Sequence, residues 1–154
     1  MKTCVVIAAI VSASAFGQFP PNQTTPDGFK NGRYWQNVGD VETRVIYLAG
    51  YFDGFDQALL EGLTRENAKE REASEKENLP RNVSIGDATR ALDRFYLDPE
   101  NLNIPIWRAV RIAALKFASR PEREIEAEME KARAGVRYDL EQCEKKKLGC
   151  EHLR

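Results

Sequence analysis

Apolar residues recur at spacings of three and four along four stretches of the chain, the pattern typical of amphipathic helices. The stretches cover about 40–63, 84–98, 105–118 and from 122 to near 149. Their inward-facing residues are, in chain order, Val41, Val45, Leu48, Phe52, Phe55, Leu59 and Leu63; Ala88, Leu92, Phe95 and Tyr96; Ile106, Ala109, Val110, Ala113, Ala114 and Phe117; and Ile125, Met129, Ala132, Val136, Leu140 and Cys143. No stretch of useful length alternates as a strand does. The sequence therefore predicts an all-α fold, a small bundle of about four helices.

The ends of the second and third predicted helices carry recognisable signals. Ser84, with Asp87 three residues later and Val83 before it, has the arrangement of a capping box with a hydrophobic staple. Pro99 ends the same helix, because proline disfavours helical backbone in the residue before it. Pro105 suits the first turn of the third helix.

A second stripe lies on another side of the first predicted helix and mixes aromatic with small residues. Its members are Tyr47, Gly50, Tyr51, Gly54 and Ala58. Each glycine lowers helix stability by about 1 kcal/mol relative to alanine, so we expect another element to approach closely there. The stripe therefore predicts a packing face in the centre of the bundle, or the interface of a homodimer.

The first 17 residues predict a signal peptide, because a short basic start precedes an apolar run and then small residues. Cleavage after Ala15 and cleavage after Gly17 both fit the pattern. Residues 18–37 are rich in proline and polar residues, which predicts a disordered, flexible tether. Residues 38–150 would form a single helical domain, in which the densely charged segment 64–82 is a loop or an extension. The protein is thus expected to be exported, either periplasmic or secreted.

Charge and hydropathy disfavour two classes of partner. The formal net charge of −1 at pH 7 argues against nucleic acid and anionic membranes. After the signal peptide, no apolar run approaches the roughly 20 residues of a membrane-spanning helix. The mature chain is therefore not expected to span a membrane.

Two cysteines follow the signal peptide, and an even number in an exported protein predicts a disulfide between Cys143 and Cys150. Seven residues of continuous helix rise about 10 Å, whereas disulfide-bonded residues have Cα atoms roughly 4.4 to 6.8 Å apart. The last helix must then end before Cys150, with Gly149 as its natural end. Cys143, Cys150 and His152 supply only three ligands for zinc, so neither a metal nor a cofactor is predicted.

The nearest approach to a catalytic group is the pair Asp53 and Asp56. Their position beside the main stripe of the first helix is compatible with partial burial, and paired carboxylates can perform glycosidic or metal-assisted hydrolysis. The alternatives are a buried ion pair between Asp53 and an arginine of another helix, and solvation of both carboxylates. The only histidine, His152, lies near the end of the chain. A structural role is therefore favoured, and the chain is not predicted to be an enzyme.

Two segments of the predicted helices resemble a known family. They are Tyr47-Leu48-Ala49-Gly50-Tyr51-Phe52-Asp53-Gly54, and Tyr96-Leu97-Asp98-Pro99 followed by Pro105 and Ala109. Together they resemble the Tai-type immunity proteins, which protect bacteria against cell-wall amidase toxins of the type VI secretion system. The similar part covers about residues 38–118. The chain departs from the family in its cysteines, which lie at the far end, and in its long charged insert. The resemblance implies a periplasmic all-α protein, with a dimer as one option, that acts by binding.

We therefore predict an exported, non-enzymatic helical protein that binds a protein partner. More specifically, we predict an immunity protein that inhibits a cell-wall-degrading toxin enzyme. The charged segment 64–82 or the connector 98–105 would enter the cleft of the toxin. The alternatives are a cell-envelope enzyme that uses Asp53 and Asp56, and a structural or stress-related envelope protein.

Overall fold

A computed structural model of the protein describes residues 23–63, 79–80 and 82–145, with no side chains for 59–63. Within this part the fold is all-α, as predicted. The helices are α1 (Gly32–Asn37), α2 (Val41–Leu63), α3 (Ile85–Phe95), α4 (Ile106–Phe117) and α5 (Glu122–Lys145), with a 3-10 turn at Pro99–Asn101. The four long helices α2 to α5 match the four predicted stretches. The predicted signal peptide and most of the charged segment 64–82 lie outside the described residues.

The start of α3 follows the capping signal in the sequence. The Ser84 hydroxyl accepts a hydrogen bond from the backbone N–H of Asp87 at 3.1 Å, and the Asp87 carboxylate accepts one from the Ser84 N–H at 3.3 Å. The hydroxyl of Ser84 and the guanidinium of Arg90 also donate to this carboxylate. These hydrogen bonds lower the pKa of Asp87. The predicted capping box is confirmed.

Consecutive long helices pack on one another, α2 on α3, α3 on α4 and α4 on α5. The main core comprises Trp35, Leu48, Ala88, Leu92, Tyr96, Ile106, Ala109, Val110 and Ala113, and a second cluster comprises Ile104, Ile112, Ile125 and Ala132. Helix α4 contributes to both clusters, so it is the helix buried on two sides. The expectation that the first long helix is central is wrong, because in the described residues α2 packs mainly along α3.

Residues 23–37 belong to the folded domain, so the tether predicted for 18–37 is wrong over this range. The Trp35 side chain is only 1% exposed, and its Nε1 donates to the Asp93 carboxylate at 2.9 Å. The Asn31 side chain caps α1 by accepting from the N–H groups of Arg33 and Tyr34. The polar, proline-rich composition that predicts disorder here belongs to a segment that is anchored in the core by Trp35, although Phe29 is 52% exposed. Residues 18–22 lie outside the described part.

A polar contact joins α1, α2 and α3. The Arg44 guanidinium donates to the Asp93 carboxylate at 2.8 Å and to the Val38 carbonyl at 3.2 Å, while Asp93 also accepts from the Trp35 indole. Both members of the Arg44–Asp93 ion pair are partly buried. Because one carboxylate serves two donors from different helices, Asp93 fixes the position of α1 and α2 on α3.

The connector between α3 and α4 is held by α5. The Arg133 guanidinium donates to the carboxylate of Asp98 at 2.7 Å and to the side-chain oxygen of Asn101 at 2.9 and 3.0 Å, and pairs with Glu100 at 2.9 Å. Asn101 is buried and donates to the Phe95 carbonyl at 2.9 Å. The connector is therefore held in place by the domain, with Pro99 and Glu100 exposed, and its predicted role as an inserting element stays a prediction.

Candidate functional site

The small residues of the second α2 stripe are exposed. Gly50, Gly54 and Ala58 all face solvent, and a Cβ built on Gly50 or Gly54 would meet nothing within 4 Å among the described residues. The predicted packing inside the bundle is therefore wrong for these three small residues, whereas Tyr47 and Tyr51 of the same stripe do pack against the main core. The predicted role of the stripe in a homodimer stays a prediction. Among the described residues, nothing covers its small residues.

Half-buried aromatic rings border this open surface along α2. The ring of Tyr47 lies 5.6 Å from that of Tyr34 on α1, measured between centroids. One turn later Tyr51 stacks on Phe55, at 6.4 Å with 19° between the ring planes. These contacts fix the ring positions, because the aromatic residues support one another along the helix. We define Tyr47, Gly50, Tyr51, Gly54 and Ala58 as the open face.

Burial shifts the tyrosine pKa values. Desolvation, with smaller contributions from Tyr34 and Tyr51, raises the pKa of Tyr47 to about 12. Burial also raises the pKa of Tyr51, and raises that of the fully buried Tyr96 well above its usual value. These three phenols therefore hold their protons in the folded state at a pH where unfolded tyrosine ionises.

The raised tyrosine pKa values predict loss of stability in alkali. The unfolded chain releases these protons near pH 10 and the folded chain holds them longer, so the free energy of unfolding should fall as the pH rises from about 10 toward 12. Urea unfolding at fixed pH values measures this fall. Tyr47→Phe should reduce the slope, whereas Tyr138→Phe should leave it unchanged because Tyr138 is exposed. Equal slopes for the wild type and Tyr47→Phe would contradict the prediction.

Asp53 and Asp56 are both exposed on α2. The predicted buried ion pair of Asp53 is therefore wrong, and so is the partial burial on which the catalytic interpretation rested. A partly buried aspartate–arginine pair does connect α2 to another helix, but its acid is Asp93 and its base is Arg44. The sequence predicted an aspartate–arginine pair between the first long helix and another helix. Which residues form the pair depends on how α2 packs on α3.

Cys143 is buried and disulfide-bonded, and packs against Leu140. Cys150 and His152 lie outside the described residues, so the Cys143–Cys150 pairing stays a prediction. Within the described part, no three His, Cys, Asp or Glu side chains are grouped to hold a metal ion. None of the described helices combines the length and the apolar character needed to cross a membrane.

A cleft that sequence reasoning missed lies between the N-terminal segment and α5. Its volume is about 250 Å³, counting the part open to solvent. The lining residues are Thr24, Thr25, Pro26, Asn31, Asn103, Val136, Asp139 and Leu140. Polar groups and aliphatic side chains are thus combined in one small concave site, as in many ligand pockets.

A tight turn forms one wall of the cleft. The Thr25 carbonyl accepts from the Gly28 N–H at 2.9 Å, the Thr25 hydroxyl accepts from the Phe29 N–H at 3.1 Å, and Gly28 has a φ of 85°. That φ favours glycine, because other residues are strained there. The sequence Thr25-Pro26-Asp27-Gly28 is a strong turn signal. It could have revealed the turn, but not the helix against which the turn packs.

Asp139 is the carboxylate of the cleft. It makes no hydrogen bond or ion pair within the described structure, although it is half-buried. Desolvation raises its pKa, the charge of Asp27 raises it further, and Arg108 acts in the opposite direction. The cleft therefore holds a carboxylate whose negative charge has no contacting partner.

The sequence matches no family model, and neither a curated protein nor a solved structure is significantly similar to this chain. The fold class thus rests on the structure itself. The resemblance to the Tai-type immunity proteins stays a prediction.

Proposed function

We propose that this chain is an exported, non-enzymatic binding protein that contacts a partner protein through the open face of α2. The observation that carries the proposal is the exposure of Gly50 and Gly54, which no other described part of the chain approaches. Two glycines inside a helix reduce its stability by about 1 kcal/mol each. These glycines would have a role if they allowed the backbone of a partner protein to approach α2 closely.

The surroundings of the open face suit a protein partner. Its two tyrosines, Tyr47 and Tyr51, have half-buried rings held by neighbouring aromatic residues. Ile46, one turn before Gly50, is 64% exposed. Rigid aromatic side chains beside an apolar surface are the residues that contribute most to protein–protein binding.

The length of α2 also favours binding to a concave partner. Helix α2 has 23 residues, whereas α3, along which it packs, has only 11. At 1.5 Å per residue, α2 is about 18 Å longer than α3. We therefore propose that α2 enters the cleft of a cell-wall-degrading enzyme and blocks it. The family resemblance supports the action by binding, whereas the choice of α2 rests on its length and exposure.

Replacing Gly54 with leucine should abolish partner binding without destabilising the domain. The leucine side chain would occupy the surface that the partner approaches, while the open space around Gly54 and the better helix propensity of leucine should raise stability by up to about 1 kcal/mol. Affinity capture of the tagged chain from its native envelope, followed by inhibition assays with each captured cell-wall hydrolase, measures binding. Urea unfolding measures stability.

Ala127→Leu is the matched control, since it places the same side chain on an exposed position of α5. We expect it to keep the partner and the inhibition. A captured hydrolase that is inhibited equally by the wild type and Gly54→Leu would refute the role of the open face. Failure of the wild type to capture or inhibit any hydrolase would refute the proposed function. Sedimentation of the wild type as a dimer and of Gly54→Leu as a monomer would instead identify a second copy as the partner.

A further inference from the structure

We propose that the cleft between the Thr24–Asn31 segment and α5 binds an alkylammonium group, with Asp139 as its counterion. The group is that of a lysine side chain or of a small free amine. This inference does not rest on the proposed function, because the cleft shares no residue with the open face of α2.

The geometry of α5 places the carboxylate between two aliphatic side chains. Val136, Asp139 and Leu140 stand at i, i+3 and i+4, so their side chains share one side of the helix. Pro26, in the N-terminal turn, is a further apolar member of the lining. A cation on a short hydrocarbon chain fits this arrangement, because its methylene groups can contact the aliphatic side chains while its charge meets Asp139.

The other polar groups of the cleft can complete the coordination of an ammonium. An ammonium has three N–H donors. Asp139 would accept one, and the hydroxyl oxygens of Thr24 and Thr25 lie in the same lining. The Asn103 side-chain oxygen accepts one hydrogen bond, from Arg33 Nε at 3.2 Å, and keeps a second lone pair. By contrast, the Asn31 side-chain oxygen already accepts from two backbone N–H groups.

The charges around the cleft favour a cation over an anion. Asp139 and Asp27 are close enough for their charges to interact, and an anion would be repelled by both. Arg108 is the cation that acts on Asp139. Its guanidinium lies over the Trp107 ring, 4.8 Å from the centroid, and beside Gly135, one turn before Asp139, but makes no ion pair with Asp139. Metal ions such as Ca²⁺ need six or more oxygen ligands, commonly from several carboxylates. The single carboxylate in the lining suits an organic ammonium better.

The size of the cleft limits the ligand to a head group with a short chain. The enclosed part of the cleft has room for about one water-sized group, which is the size of an ammonium head, and the rest of its volume of about 250 Å³ is open to solvent, where a short chain can lie. A butylammonium ion, which is the end of a lysine side chain, is therefore the appropriate probe.

Titration of the full mature chain, labelled with ¹⁵N, with n-butylammonium chloride tests the proposal. We expect saturable shifts of the backbone amide signals of Thr25, Val136 and Asp139. n-Butanol, which has the same chain but no charge, should cause no saturable shift. Asp139→Asn should weaken butylammonium binding about tenfold or more, since a charge-assisted hydrogen bond is lost. Glu126→Gln removes one negative charge from an exposed position of the same helix and should leave binding unchanged.

Stability separates a binding role of Asp139 from a structural one. Since Asp139 makes no contact with a cation in the described structure, Asp139→Asn should leave the melting temperature unchanged or raise it. A lower melting temperature with unchanged binding would assign Asp139 a structural role and overturn the proposal. Equal shifts with butylammonium and butanol, or no shift with either, would also overturn it.

The source of the ammonium group is resolved by two further ligands. Nα-acetyl-lysine methylamide carries the lysine side chain on a peptide-like backbone, and 1,5-diaminopentane is a free amine of similar length. Tighter binding of the lysine derivative would identify a lysine of a protein as the ligand. Tighter binding of the diamine would identify a small free amine.

Discussion

Replacing Trp35 with alanine should lower the free energy of unfolding by about 3–5 kcal/mol, the usual cost of removing a large buried aromatic side chain. Trp35 is almost fully buried in the main core, beside Leu48, Leu92 and Tyr96. The substitution also removes the hydrogen bond from the indole to Asp93. Urea unfolding of the chain, followed by circular dichroism at 222 nm, measures the change.

Leu97→Ala is the control for this experiment, because Leu97 is also large and apolar but 77% exposed. It should change the free energy of unfolding by no more than about 0.5 kcal/mol. Trp35→Phe keeps much of the ring volume and loses the indole donor, so its effect should lie between the two. If Trp35→Ala changed stability no more than Leu97→Ala, residues 23–37 would be a tether after all.

The long helices could be predicted because their signals are local. Ser84 and Asp87 are three residues apart and start α3 by contacting each other. The apolar spacing likewise identifies most of the buried side, as Leu92 on α3 and Ile125 on α5 show, although Val41 at the start of α2 is 60% exposed. Each of these signals lies within a few turns of one helix, so it can be read without knowing where any other helix lies.

The N-terminal segment could not be predicted in the same way, because its contacts are distant in sequence. Trp35 donates to a residue 58 positions later, and the backbone carbonyl of Lys30 accepts from Ile106 at 2.9 Å. Residues 18–37 are polar and rich in proline, and this local composition predicts disorder. Burial of Trp35 nevertheless depends on a groove that exists only when α2, α3 and α4 have packed.

The same reason explains the errors at the candidate sites. Asp53 and Asp93 are both aspartates near an apolar stripe. Only the packing of α2 on α3 brings Arg44 into an ion pair with Asp93. Asp139 lies on a helix with many charges, so nothing local distinguishes it from its neighbours. Its position in the cleft depends on the turn at Pro26–Gly28, which lies more than 100 residues earlier. Helix faces are local properties, whereas clefts and ion pairs depend on tertiary structure.

Two glycines in helices should respond in opposite ways to alanine. At Gly32 in α1, a new Cβ would overlap the ring of Tyr96 and lie 3.0 Å from the Leu102 Cα. The ring cannot move easily, because Tyr96 is fully buried and its hydroxyl donates to the Ile104 carbonyl at 3.1 Å. We therefore expect Gly32→Ala to reduce the free energy of unfolding by about 1–3 kcal/mol, the usual cost of overpacking.

At Gly50 in α2 the space is open, so Gly50→Ala should raise stability by about 0.5–1 kcal/mol through helix propensity alone. The pair isolates the steric effect, since both substitutions add one methyl group to a helix. Tyr96→Leu removes the ring that the new methyl group meets, so Gly32→Ala should cost less in that background than in the wild type. An equal cost in both backgrounds would show that the close approach of α1 to Tyr96 does not limit residue 32.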